Sequence, residues 1–246
     1  VAVHVATLLS VLVVYREKIR LLLRNAFRRG EEGSAGYILM LAVATIPAAV
    51  VGFTLADWFE ARFDDPVFAA TMILITGSLV WSTRWAMGTH RAALVDVVPV
   101  LVAVGISALA GTVVPLLAVA ALEVCWLAIA RWTAAKGEVA VKPTWGAAII
   151  MGVAQAIAIL PGISRSGNTV VSGLWHRIAP VAAAEFSFLM SIPAILGAAV
   201  LQVPEALAGE NGVPISTLIL GFLAASISGV LAIRFFVAML RRQNFY

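Results

Sequence analysis

Long apolar stretches, each closed by charged residues, govern what this chain can fold into. They run about 16–24 residues, enough at 1.5 Å per helical residue to cross a hydrocarbon core of roughly 30 Å. Val1 to Tyr15 leads into Arg16, Lys18, Arg20, Arg24, Arg28 and Arg29. Gly36 to Ala56 exits into Asp57, Glu60, Asp64 and Asp65, and Val67 to Thr83 returns to Arg84, His90 and Arg91. Val95 to Ala110 and Val113 to Ala130 read as a hairpin about Gly111-Thr112, ahead of Arg131, Lys136 and Lys142. Val181 to Val203 reaches Glu205 and Glu210, and Ile215 to Leu240 reaches Arg241-Arg242. Basic loops stay in the cytoplasm. All of them share that side, with the acidic loops opposite, if Trp145 to His176 dips into the bilayer and returns. The expected fold class is therefore an all-α integral membrane protein, a multi-helix bundle with a re-entrant broken helix.

Composition agrees. Hydrophobic residues make up 62% of the chain and charged ones 12%, with a mean hydropathy of +1.00. A soluble domain carries about 25% charged residues, so lipid is the solvent expected for most of this surface. The net charge of +4 sits in loops beside apolar runs, where it orients the protein; nucleic acid is not an expected partner. Cys125 is the single cysteine and can form no intrachain disulfide. Residues 1–246 read as one membrane domain, expected to be incomplete at both ends. The first segment does not read as a signal peptide, because its basic residues follow the apolar run.

The element from Trp145 to His176 is where chemistry is expected. Its helical pattern stops at Pro161-Gly162, and Ser164-Arg165-Ser166-Gly167-Asn168-Thr169 follows. Backbone freed from a helix within the membrane costs several kcal/mol per unsatisfied group. An arginine at the bilayer centre costs roughly 2.5–3.5 kcal/mol on insertion scales. An anion offsets both. Gly162 and Gly167 let backbone N–H groups approach a ligand, and Ser164, Ser166 and Thr169 add hydroxyls. A helix beginning near Asn168 would aim its positive end at the same point. Arg165 supplies a fork suited to phosphate oxygens, and Gln155, two turns before the break, is placed to reach the headgroup. The structural alternative is a polar turn whose Arg165 pairs with Glu123 or Glu185.

The run Gln155-Ala-Ile-Ala-Ile-Leu-Pro-Gly-Ile-Ser-Arg-Ser-Gly-Asn-Thr169 resembles a signature of the undecaprenyl-diphosphate phosphatases, the bacitracin-resistance family. The resemblance extends through Glu185 to Gly197, His4 to Arg16, Ala44 to Gly52 and Leu74-Ile-Thr-Gly77. It implies a phosphoric anhydride hydrolase of the bacterial inner membrane. Such an enzyme converts the C55 lipid diphosphate to the monophosphate carrier of cell-wall synthesis. It further implies an inverted-repeat architecture and catalytic roles for Ser164, Arg165 and Thr169. Gly162, Ser166, Gly167, Asn168, Gln155 and His4 would bind substrate. A divalent cation, magnesium or calcium, is the implied cofactor; its carboxylate ligands belong to a first signature that would lie upstream of Val1. The segment 92–130 departs from the family as an extra transmembrane hairpin. Expected partners are the polyprenyl diphosphate and bilayer lipids, with homo-oligomerisation open.

Weaker candidates carry structural readings. His4 is a lone histidine on an apolar helix, Glu123 lies within the extra hairpin, and Glu185 is expected to support the re-entrant turn. Trp58, Trp81 and Trp85 stand near segment ends, as interface anchors do. Thr45-Ile-Pro-Ala48 echoes Ser191-Ile-Pro-Ala194, too short a match to define a repeat. The rival function is a secondary transporter or flippase for an anionic lipid or phosphate, since broken helices serve transporters as well.

Overall fold

A computed structural model describes residues 2–26, 34–86, 139–207 and 214–241, with isolated positions between 101 and 121. Among these residues the chain forms α1 (Ala2–Val14), α2 (Arg16–Ala26), α3 (Ser34–Thr54), α4 (Ala56–Phe63) and α5 (Pro66–Ala86). Then follow α6 (Trp145–Ile157), α7 (Arg165–Trp175), α8 (Pro180–Leu207) and α9 (Ile215–Arg241). No strand occurs among the described residues; the one backbone bridge pairs Ala140 with Ile178. The expected hairpin at 92–130 lies outside them, apart from the isolated positions.

Among the described residues, four stretches are long and apolar enough to cross a membrane: Ser34–Thr54, Pro66–Thr83, Pro180–Val200 and Ser216–Arg241. Their outward faces carry large apolar side chains, with Phe53 68%, Leu220 68% and Phe235 69% exposed. Water would make such surfaces a strong aggregation liability, whereas acyl chains cover them without cost. The protein is an all-α, multi-pass membrane protein.

The helices gather into two compact units, Val1–Thr45 with Ala184–Tyr246, and Ile46–Ala183. In the first, α1 packs against α9. Ser10 Oγ lies 2.9 Å from both Ala6 O and Ser226 O, so one hydroxyl proton serves its own helix or its neighbour. A Cβ at Gly229 would press on that hydroxyl, which keeps the crossing close. Lys18 Nζ meets Glu185 Oε1 at 2.8 Å and stands 5.5 Å from the Tyr37 ring centre. Tyr37 itself meets Phe186 edge-on.

The basic stretch after Tyr15, expected as a loop, is helical as α2. Arg16, Arg20 and Arg24 share its exposed face, while Leu22 and Asn25 are buried. Charges at fourfold spacing are as compatible with a solvated helix as with a loop.

In the second unit, α4 fills the acidic connection between two spans. The Arg62 guanidinium lies 5.0 Å from the Trp58 ring centre, and the half-exposed Trp58 sits as an interface anchor does. Asp65 starts α5 by accepting from the N–H groups of Val67 and Phe68, each at 3.0 Å. Pro66 takes the first helical position, where its missing N–H costs nothing.

The unit then closes a helical hairpin. Helices α6 and α7 have 13 and 11 residues, about 20 and 16 Å long, too short to cross a core of roughly 30 Å. They pack on each other tightly: a Cβ on Gly173 would press on Met151 and Ala183. At the far end of α7 the Ile178 N–H returns to Gly173 O, and Arg177 adopts a φ of 56°. That left-handed residue turns the chain back on itself. Ala140 N–H then donates to Arg177 O at 2.9 Å, and Ala179 N–H to Ala140 O at 2.8 Å. The segment 140–178 therefore ends where it began.

Candidate functional site

The tip of this hairpin is the Pro-Gly-Ile-Ser segment. Helix α6 ends in tightened turns, with Ile159 N–H donating to Ala156 O, Leu160 N–H to Ile157 O and Ile163 N–H to Leu160 O. Gly162 follows with a φ of 95°, a conformation costly for any residue with a Cβ. Space forbids one as well: it would collide with the Ala69 carbonyl and Met72 Cβ of α5.

Helix α7 starts at Arg165, three residues before the expected Asn168, because Ser164 is an N-cap. Its Oγ accepts from Gly167 N–H at 3.1 Å, satisfying one of the amides that open every helix. Arg165 therefore occupies the first helical position. Asn168 lies inside the helix, where Nδ2 donates to Ala154 O at 2.8 Å and ties α7 to α6. Thr169, 1% exposed, donates to Arg165 O at 2.8 Å. In this rotamer its proton serves its own helix.

These bonds decide which backbone donors remain for a ligand. Ile163, Ser164, Gly167 and Asn168 commit their N–H groups to Leu160 O, Thr76 Oγ1, Ser164 Oγ and Ser164 O respectively. The N–H groups of Gly162, Arg165 and Ser166 reach no acceptor among the described residues. The expected cradle thus narrows to the first turn of α7, with Arg165 and Ser166 adding side chains and Ser164 keeping a proton to donate. An N-terminal helical turn with open amides and a guanidinium binds anions, phosphate oxygens above all.

Gln155 belongs to the same neighbourhood by register. Met151 lies against Gly173 and Ala154 against Asn168, so the antiparallel hairpin sets Gln155 level with the first turn of α7. Its side chain is 2% exposed, and neither Nε2 nor Oε1 has a hydrogen-bond partner among the described residues. A buried carboxamide left empty costs about 1–3 kcal/mol. His4 stands exposed on α1, in the unit that does not contain this loop.

The alternative pairing of Arg165 is narrowed too. Glu185 is ion-paired with Lys18, and Glu123 lies outside the described residues. Among those described, no carboxylate is ion-paired or hydrogen-bonded to the loop, and no three His, Cys, Asp or Glu side chains gather. A guanidinium, amides, hydroxyls and carboxamides make an anion site, and these residues do not fit a divalent cation.

One residue escaped the sequence reading. Thr76, in the middle of α5, donates to Gly162 O at 3.0 Å and accepts from Ser164 N–H at 3.1 Å. Its only sequence signal is its place within Leu74-Ile-Thr-Gly77, a polar residue in an apolar span. Sequence distance hid the contact.

The family described as bacitracin resistance protein BacA matches this chain over residues 1–106 and 92–246. An undecaprenyl-diphosphatase of Carboxydothermus hydrogenoformans is 30% identical, covering 98% of this chain and 73% of the relative. One from Methanothermobacter thermautotrophicus is 31% identical over 84% of this chain and 90% of its own length. One from Desulfatibacillum aliphaticivorans is 28% identical across the whole chain and 77% of the relative.

Proposed function

Given that this chain belongs to the bacitracin-resistance BacA family, we propose that it is an undecaprenyl-diphosphate phosphatase acting through the first turn of α7. The enzyme cleaves the anhydride bond of a C55 lipid diphosphate with water, giving the lipid monophosphate and inorganic phosphate. One observation supports this site above others. Arg165 opens a helix whose first two amides, like the buried Gln155 level with them, have no hydrogen-bond partner among the described residues. A broken helix alone serves a transporter equally well; the phosphatase names of the relatives separate the two readings.

Each chain group then has a task. The Arg165 guanidinium and the amides of Arg165 and Ser166 hold the terminal phosphoryl oxygens and neutralise charge that spreads over them during transfer. Ser164 and Ser166 donate hydroxyl protons to further oxygens. Thr169 holds the carbonyl of Arg165, fixing the turn that carries the guanidinium. The Gln155 carboxamide donates to a phosphoryl oxygen and accepts from a water. Asn168, Gly162 and Gly167 shape the loop. His4 is proposed at the headgroup on the resemblance alone.

The α6–α7 hairpin is proposed to be re-entrant. Its closure at Ala140 and Ile178, its short helices and its placement of Arg165 favour entry and exit on one face. The bacterial inner membrane is the proposed location. A magnesium or calcium ion is proposed from the resemblance alone, and no step above passes through it. The test is phosphate release from a purified polyprenyl diphosphate by the full-length protein in micelles. No release above the detergent blank would end the proposal.

A further inference from the structure

The shape of the loop is set from outside it. Breaking a helix at membrane depth strands the Gly162 carbonyl and the Ser164 N–H, and no bulk water is there to take them. Thr76 takes both with one hydroxyl, donating at 3.0 Å and accepting at 3.1 Å. These are contacts across 86 and 88 positions of sequence, from a helix that also leaves no room for a Cβ on Gly162.

The bond does more than fill orphaned valences. Because Ser164 N–H points at Thr76, it is withdrawn from any ligand, and the first amide of α7 open to an anion is that of Arg165. Ser164 is also the N-cap of α7, so pinning its backbone fixes the direction in which its hydroxyl and the Arg165 side chain leave the turn. We propose that Thr76 is a positioning residue of the phosphatase site, holding Ser164 and Arg165 in register with the terminal phosphate without touching substrate. This rests on the reading given above.

Near-isosteric Thr76→Val tests it, because it removes the hydroxyl and keeps the volume. In the full-length enzyme kcat for polyprenyl diphosphate should fall about 10–100-fold, the scale of a misplaced catalytic group. KM should stay within about threefold, since the anion gains a stray donor and loses alignment rather than affinity. Thr76→Ser, which keeps the hydroxyl, should restore kcat to within about threefold of wild type. Hydrogen–deuterium exchange gives a readout that needs no substrate: amides of the 160–168 peptide should exchange faster in Thr76→Val and unchanged in Thr76→Ser.

Wild-type turnover in Thr76→Val overturns the proposal. So does unchanged exchange in that variant, or a kcat loss that Thr76→Ser shares while both melt early, which is the mark of a packing role. A wild-type enzyme that releases no phosphate ends the phosphatase reading and the positioning claim with it. The exchange comparison would then still report whether Thr76 pins the loop.

Discussion

Asn168 Nδ2 donates to the carbonyl of Ala154 over 2.8 Å, bracing the first turns of α7 against the last turn of α6. The Ala154 carbonyl also accepts from Ala158 N–H, so it stays satisfied without the brace. Asn168→Ala should therefore cost about 0.5–1.5 kcal/mol, the net worth of one hydrogen bond. Thermal unfolding in detergent should show a fall of a few degrees, with reduced turnover. Unchanged melting and turnover together would remove the brace from the mechanism.

Arg165→Ala should lower phosphate release by at least about 100-fold, the usual effect of deleting one preorganised donor, and leave membrane insertion intact. Arg165→Lys keeps the charge but loses the fork, so partial activity is expected between the two. Near-normal release in Arg165→Ala would refute the site.

Gly162→Ala meets two obstacles at once, a φ of 95° and the Ala69 carbonyl. The backbone term alone is about 1–3 kcal/mol. Lower melting and lost turnover are expected together. A variant as stable as wild type would mean that the loop is not seated against α5.

Gln155 should separate stability from function. Gln155→Leu replaces an unpartnered buried carboxamide by an apolar side chain of similar size, which is neutral or stabilising when nothing binds there. A higher melting temperature with reduced phosphate release is the expected pair of results. Full activity in the variant would show that the substrate makes no use of the amide.

The long apolar spans were legible because a bilayer demands a length and a hydropathy, and both are written in composition. Val67 to Thr83 and Ile215 to Leu240 coincide closely with α5 and α9. The break at Pro161-Gly162 was equally plain. Local hydrogen bonding was not. Ser164 accepts from Gly167 N–H as the cap of α7, which moved the start of that helix to Arg165, and Thr169 donates to its own helix. Thr76 was illegible for another reason: a hydroxyl in an apolar span states that it needs a partner, never which one. Helices α2 and α4 went unseen because charge marks a segment as solvated without marking it as irregular.

The paired backbone at Ala140 and Ile178 has a consequence for how such chains can change. A segment whose two ends meet enters and leaves the fold at one place, whatever its tip touches. On the proposed re-entrant topology, lengthening, shortening or exchanging it between those residues would leave every later helix pointing the same way across the bilayer. Variation in its tip is thereby uncoupled from the orientation of the remaining protein.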